Sequence, residues 1–256
     1  MEAAIRDKLC EIEQAENVRI LFAVESGSRA WGFASPDSDY DVRFIYVRGP
    51  EFYLKLAPQR DVIEWQLDEI LDISGWDLQK ALRLLHDSNP TLHEWLSSRL
   101  VYRSTQESDR LAAAAKEYFR CKAAAFHYLS MAKSNYHDFF NDRGEVRLKK
   151  YFYVLRALLA ARWVVTRGEQ PPILFAELTD ALLPPVQQAA VRKLLAAKMA
   201  TPELGAGARI AALDEFIDRA FAELPSQAEA LPVGRNPGWA TLDKIFLDCI
   251  RAAGNI

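Results

Sequence analysis

Nine residues, DYDVRFIYV at 39–47, alternate as a strand must: Asp39, Asp41, Arg43 and Ile45 on one face, Tyr40, Val42, Phe44 and Tyr46 on the other. A period of two does not suit a helix, so this stretch commits the chain to a sheet. Ahead of it runs VRILFAVES (18–26), apolar, rich in strand formers and ending in small residues, with SPDSD supplying turn chemistry between the two. The second strand carries an electrostatic problem. Residues two apart share a face, so Asp39 and Asp41 set two carboxylates side by side. Such a pair repels and costs free energy when desolvated unless a cation lies between its members. Hard divalent ions, Mg²⁺ above all, take a few carboxylates together with phosphate oxygens. Gly27 and Ser28 close the first strand and open a short helical turn over 28–33, letting backbone N–H groups and a hydroxyl approach a phosphate. Either half alone is a weak signal, and Asp37 reads as a turn or cap residue. Together, in this order, they are the equipment for metal-assisted phosphoryl or nucleotidyl transfer.

The rest of the chain sets the architecture. Residues 3–16 predict a helix with Ile5, Leu9 and Ile12 on one stripe. RDVIEWQ (60–66) and EILDISG (69–75) read as two strands joined by a tight turn, and WDLQKALRLLHDS (76–88) as an amphipathic helix. Asn89 and Pro90 break that helix, and Pro90 opens the next one, where a first helical position suits proline. From about residue 105 the pattern turns helical throughout. One long helix is expected over ESDRLAAAAKEYFRCKAAAFHYLSMAKSNYHDFF, another over LKKYFYVLRALLAARWVVTRG, and a shorter one over LDEFIDRAFAEL (213–224). The expectation is an α+β fold: a small mixed β-sheet core with flanking helices at 1–104, followed by a C-terminal helical bundle at 105–256 that contributes to nucleotide and acceptor binding.

Charge and composition narrow the function. The net charge of −3 over 256 residues is no general signature of nucleic-acid binding. Between Arg143 and Arg167, however, seven basic residues face a single acid, Glu145, with aromatics interleaved. That segment reads either as a solvated basic face or as an anion-binding one. No apolar run is long enough to span a membrane, and the charged N-terminus lacks the apolar stretch of a signal peptide. Cys10, Cys121 and Cys249 stand far apart with no metal-binding spacing, which argues against structural zinc and predicts a cytoplasmic protein.

The block ESGSRAWGFASPDSDYDVRFIYV, with GWDLQKALRLL, SNPTLHEWL and KKYFYVLRALLAARWV, resembles the DNA polymerase β-like nucleotidyltransferase superfamily. Within it the chain is similar to the predicted nucleotidyltransferase family described as RNA-repair-pathway polymerase β-like (RlaP, or YcgL-like), over roughly residues 18–175. The resemblance implies that Asp39 and Asp41 hold two metal ions, Mg²⁺ or its substitute Mn²⁺. It also implies a third carboxylate on a later strand, Asp72 in ILDIS, with Glu64 in VIEW as the alternative or else a surface acid of an edge strand. Gly27 and Ser28 would bind the triphosphate of an incoming nucleotide. Arg29 and Arg43 would neutralise phosphate or form salt bridges. Lys149, Lys150 and Tyr153 would touch the nucleotide or RNA, unless that helix start is packing with lysine stems laid along it. The implied reaction moves a nucleoside monophosphate from an NTP to an acceptor hydroxyl and releases pyrophosphate. The acceptor is an RNA 3′ end or a protein hydroxyl, as in adenylylating antitoxins of the same superfamily. A non-catalytic nucleotide- or RNA-binding module is the reading from a different class.

Overall fold

The structure is a computed structural model that describes residues 1–66, 70–139, 145–200 and 205–254. In chain order the elements are α1 (Glu2–Glu16), β1 (Arg19–Glu25), α2 (Gly27–Ala30), β2 (Tyr40–Val47), α3 (Pro50–Tyr53), β3 (Val62–Gln66), β4 (Leu71–Asp77), α4 (Leu78–His86), α5 (Pro90–Leu96), β5 (Val101–Arg103) and α6 (Gln106–Tyr118). They continue as α7 (Cys121–Phe139), β6 (Glu145–Arg147), α8 (Lys149–Arg167), α9 (Phe175–Leu182), α10 (Pro185–Ala200), β7 (Ala206–Ala208), α11 (Ala211–Ala230) and α12 (Ala240–Ala253).

The fold is α+β, built on a mixed five-stranded sheet of order β3-β4-β2-β1-β5. β1 runs antiparallel to β2 and β5, β3 antiparallel to β4, and β2 parallel to β4. The alternation predicted for 39–47 divides the two cores. Val42, Phe44 and Tyr46 pack with Ile5, Leu9 and Ile12 of α1, while Ile45 and Val47 pack with Leu78, Leu82 and Leu85 of α4 and with residues of α5, α6 and α12. A register shift in β1 between Ile20 and Phe22 turns both Leu21 and Phe22 into the second core.

The chain forms two compact units. The first comprises Met1–Ala30, Asp39–Phe119 and Asn236–Ile256; the second comprises Trp31–Ser38 and Arg120–Arg235. The division therefore falls after Phe119, not near residue 105, and α12 returns to the first unit. Where one long helix is expected over 107–140 there are two, because Phe119 is extended (φ −73°, ψ 118°). One apolar stripe cannot serve two cores: α6 buries Leu111, Ala114, Ala115 and Tyr118 in the sheet unit, whereas α7 packs on α8 in the other. The turn predicted between β3 and β4 lies outside the described residues. β4 itself runs on to Asp77, so the helix expected from 76 begins at Leu78.

In the second unit α8 is buried nearly all round from Tyr151 to Ala161, including Phe152, Leu155 and Leu158. The cations of the basic segment are largely engaged here. Arg156 is buried with its guanidinium 4.2 Å from the Trp31 ring centroid, Arg162 pairs with Glu223 at 3.2 Å, and Arg167 lies 5.0 Å over Trp163. Among the described residues no helix is long and apolar enough to cross a membrane.

Candidate active site

The site is built where β1 ends. Two strands of the sheet meet there: the Ser26 N–H donates to the Asp41 carbonyl at 2.8 Å, carrying the β1–β2 ladder to the end of β1. The chain then turns at Gly27, whose φ of +61° lies in the left-handed region, and enters the single turn of α2. Ser28 is buried within that turn. A Cβ on Gly27 would come within 2.0 Å of Asp41 Oδ2, so glycine is what lets backbone and carboxylate share this space.

The parallel register of β2 and β4 sets Asp41 directly beside Asp72. Between them stands Arg43, one pleat further along β2. Its Nη2 donates to Asp41 Oδ1 at 3.0 Å and to Asp72 Oδ2 at 2.7 Å, while Nη1 donates to the carbonyls of Asp72 at 3.0 Å and Val42 at 3.1 Å. Burial pushes the Asp41 carboxyl above the usual carboxylate range. The Arg43 charge opposes that rise, and the charges of Asp39 and Asp72 add to it. The three aspartates are thus electrostatic neighbours. Asp39 sits exposed just ahead of β2, and its carbonyl accepts from Arg29 Nε at 3.0 Å. The Arg29 guanidinium also lies 3.7 Å from the Tyr40 ring centroid.

Glu25 is not among the residues predicted from the sequence. It is 1 % exposed, and its carboxylate accepts from the Asp41 N–H at 2.9 Å and from the Tyr102 hydroxyl. Burial raises its pKa, with the Asp41 charge adding to the rise and those two donors opposing it. A buried acid fixed to the backbone of Asp41 holds that residue in place from behind. The sequence carries one trace of it: an acid at the very end of an otherwise apolar strand.

Glu64, the alternative third carboxylate, stands opposite Ser74 on the outer strand β3 and pairs with Arg60 at 3.4 Å, with 71 % of its side chain exposed. Register favours Asp72 over Glu64. Lys149, Lys150 and Tyr153 belong to the second unit. There Lys150 Nζ lies 5.0 Å from the Tyr153 ring centroid, and Tyr153 meets Trp31 edge-on at 5.8 Å.

Among the described residues no three acids, histidines or cysteines converge tightly enough to ligate a metal as they stand. The donors nevertheless fit a hard divalent cation. They are carboxylate oxygens, and two of them already share one cationic nitrogen.

Residues 1–248 match the family model RlaP, the RNA repair pathway DNA polymerase beta family. The chain belongs to this family. Membership makes nucleotidyl transfer its reaction class and extends the likeness beyond residues 18–175 to nearly the whole chain. The RlaP chain is also 42 % identical over 252 residues to the uncharacterized protein YcgL of Bacillus subtilis (strain 168), covering 98 % of this chain and 96 % of that one. A crystal structure of a nucleotidyltransferase-like protein from Exiguobacterium sibiricum 255-15 aligns over 98 % of this chain and 80 % of its own, at 15 % identity and a TM-score of 0.33.

Proposed function

We propose that this RlaP protein transfers a nucleoside monophosphate from an NTP to an acceptor hydroxyl, with an RNA 3′ end as the acceptor and pyrophosphate as the product. The observation that carries the reading is the Asp41–Asp72 register, with Gly27 bare against one oxygen of Asp41 and a cation already shared by the other. Asp39, Asp41 and Asp72 would hold Mg²⁺, or Mn²⁺ in its place. Such ions, when bound, neutralise charge developing on the phosphates and on the attacking oxygen. The chain's own part is positional. Glu25 anchors the Asp41 backbone, Gly27 lets the turn close on the carboxylate, and the backbone of Gly27–Ser28 faces the triphosphate. Asp72, half exposed, would help to accept the proton of the acceptor hydroxyl. The RNA acceptor takes its support from the family's description, and the three free cysteines suit a cytoplasmic setting.

The test is incubation with each labelled NTP, Mg²⁺ or Mn²⁺, and either RNA or a protein extract. Label moving with RNA and pyrophosphate released is the expected result. Label moving with protein replaces the acceptor, and binding without pyrophosphate release replaces the enzyme with a sensor. Asp41→Asn and Asp72→Asn, with folding checked by circular dichroism, are expected to lower transfer by roughly 10²–10⁴-fold. Wild-type turnover in either variant removes the mechanism.

A further inference from the structure

Arg43 is not required by the chemistry just described, yet it occupies the centre of the site. Its side chain is 18 % exposed, and a single nitrogen bridges the two carboxylates that face each other across β2 and β4. The second nitrogen is tied to the carbonyls of Val42 and Asp72, so the guanidinium is held by four acceptors from two strands. Asp41 is divided between two neighbours: Oδ2 faces the bare Gly27 and Oδ1 faces Arg43. A divalent ion entering between Asp41 and Asp72 meets a positive charge already in position.

We propose that Arg43 is the resident counter-cation of this site, competing with a bare divalent ion for Asp41 and Asp72 and yielding to one that arrives with a nucleotide triphosphate. The inference rests on the nucleotidyl-transfer reading and adds an order of loading to it. A bare ion must displace the guanidinium into a half-buried position with no new anion to meet. A metal–triphosphate complex brings its own anionic oxygens, with which the displaced guanidinium can pair. The physical effect is one charge set against another at hydrogen-bond distance, a change that shifts ion affinity by about tenfold or more.

The experiment measures Mn²⁺ binding without nucleotide, from the free-ion paramagnetic resonance signal, in wild type, Arg43→Gln and the double variant Asp41→Asn/Arg43→Gln. Arg43→Gln is expected to bind bare Mn²⁺ about tenfold tighter than wild type, and the double variant is expected to lose that gain. Thermal unfolding gives an independent readout. Without divalent ions Arg43→Gln melts below wild type, and millimolar Mg²⁺ restores it; an arginine that served only as a strut would leave the same deficit with and without Mg²⁺. If Arg43→Gln does not fold, Arg43→Lys reports instead, since an ammonium cannot bridge both carboxylates and two carbonyls at once, and its Mn²⁺ affinity should rise several-fold. Unchanged or weaker Mn²⁺ binding in the folded variant overturns the inference while leaving nucleotidyl transfer intact. Absence of both Mn²⁺ binding and transfer in wild type, with every NTP supplied, overturns the functional reading itself.

Discussion

A methyl group on Gly27 would meet Asp41 Oδ2 at 2.0 Å and its Cγ at 2.8 Å, on a backbone whose φ of +61° already disfavours any side chain. Gly27→Ala therefore has two faults, strain in the turn and displacement of the carboxylate. It is expected to lose about 1–3 kcal/mol of stability and most of its transfer activity, checked by urea unfolding and by pyrophosphate release. That the glycine precedes a pair of acids is readable in the sequence, because each residue type advertises its chemistry. Glu25 is less readable, since nothing in the linear pattern says that an acid closing an apolar strand will bind the amide of Asp41, sixteen residues on. His93 is another case in which the environment decides. It is 1 % exposed beneath the edge of Phe119, and burial holds its imidazole down at about 4 from an ordinary 6.5. A histidine depressed in the folded state takes up its proton first when unfolded, so its contribution to stability is intact above pH 6.5 and drains away as pH falls from 6.5 towards 4. The full loss is on the order of 3 kcal/mol. Unfolding measured at pH 7, 6, 5 and 4.5 should show that slope in wild type and a shallower one in His93→Leu.

The β4–α4 junction shows what the choice of element boundary depends on. Asp77 ends the strand and caps the helix: Oδ1 accepts from the Gln79 N–H at 2.7 Å, and Oδ2 accepts from the Tyr53 hydroxyl at 2.8 Å. It is 2 % exposed, and burial raises its pKa. Asp77→Ala removes the cap and leaves a half-buried tyrosine hydroxyl without that acceptor, so a loss of about 1–2 kcal/mol is expected. Tyr53→Phe keeps the cap and removes the donor to Asp77 together with the acceptor of the Arg48 N–H at 3.1 Å, and should cost less; equal costs in urea unfolding would mean that the cap adds nothing beyond the hydroxyl's two bonds. From the sequence, Trp76 and Asp77 fit a helix start as well as a strand end. The strand wins because Trp76 pairs with Val62 across β3 and its ring lies 3.9 Å from that of Trp95. The same competition explains other differences. β6 and β7 are three residues each, too short for a period of two to register, and they exist through pairing with one another. The long helix expected over 107–140 has unbroken helical composition, but its ends serve different cores, and that information is tertiary.

At the scale of the molecule, the chain visits its units out of order: it leaves the sheet unit at Ala30, returns at Asp39, leaves again after Phe119 and comes back at Asn236. A composition shift near 105 marks where strands stop, and it says nothing about which core a later helix will join. α12 carries a helical stripe, Leu242, Ile245, Cys249 and Ala253, all buried against α4, α6 and β2. Arg110 pairs with Asp248 at 2.7 Å, the Tyr118 hydroxyl donates to the Gly238 carbonyl at 2.6 Å, and Trp239 stacks on His86 at 3.7 Å. Removing residues 236–256 would uncover Leu82, Leu85 and Leu111 together with the apolar partners of that stripe. At roughly 1.5–3 kcal/mol for each large side chain re-exposed, the loss is comparable with the whole stability of a typical domain, about 5–15 kcal/mol. The shortened chain is therefore expected to lose cooperative unfolding and to bind a dye for exposed apolar surface, and the peptide 236–256 added in trans should restore both. A shortened chain that melts within a few degrees of the full one would mean that α12 merely rests on the sheet unit and does not complete its core.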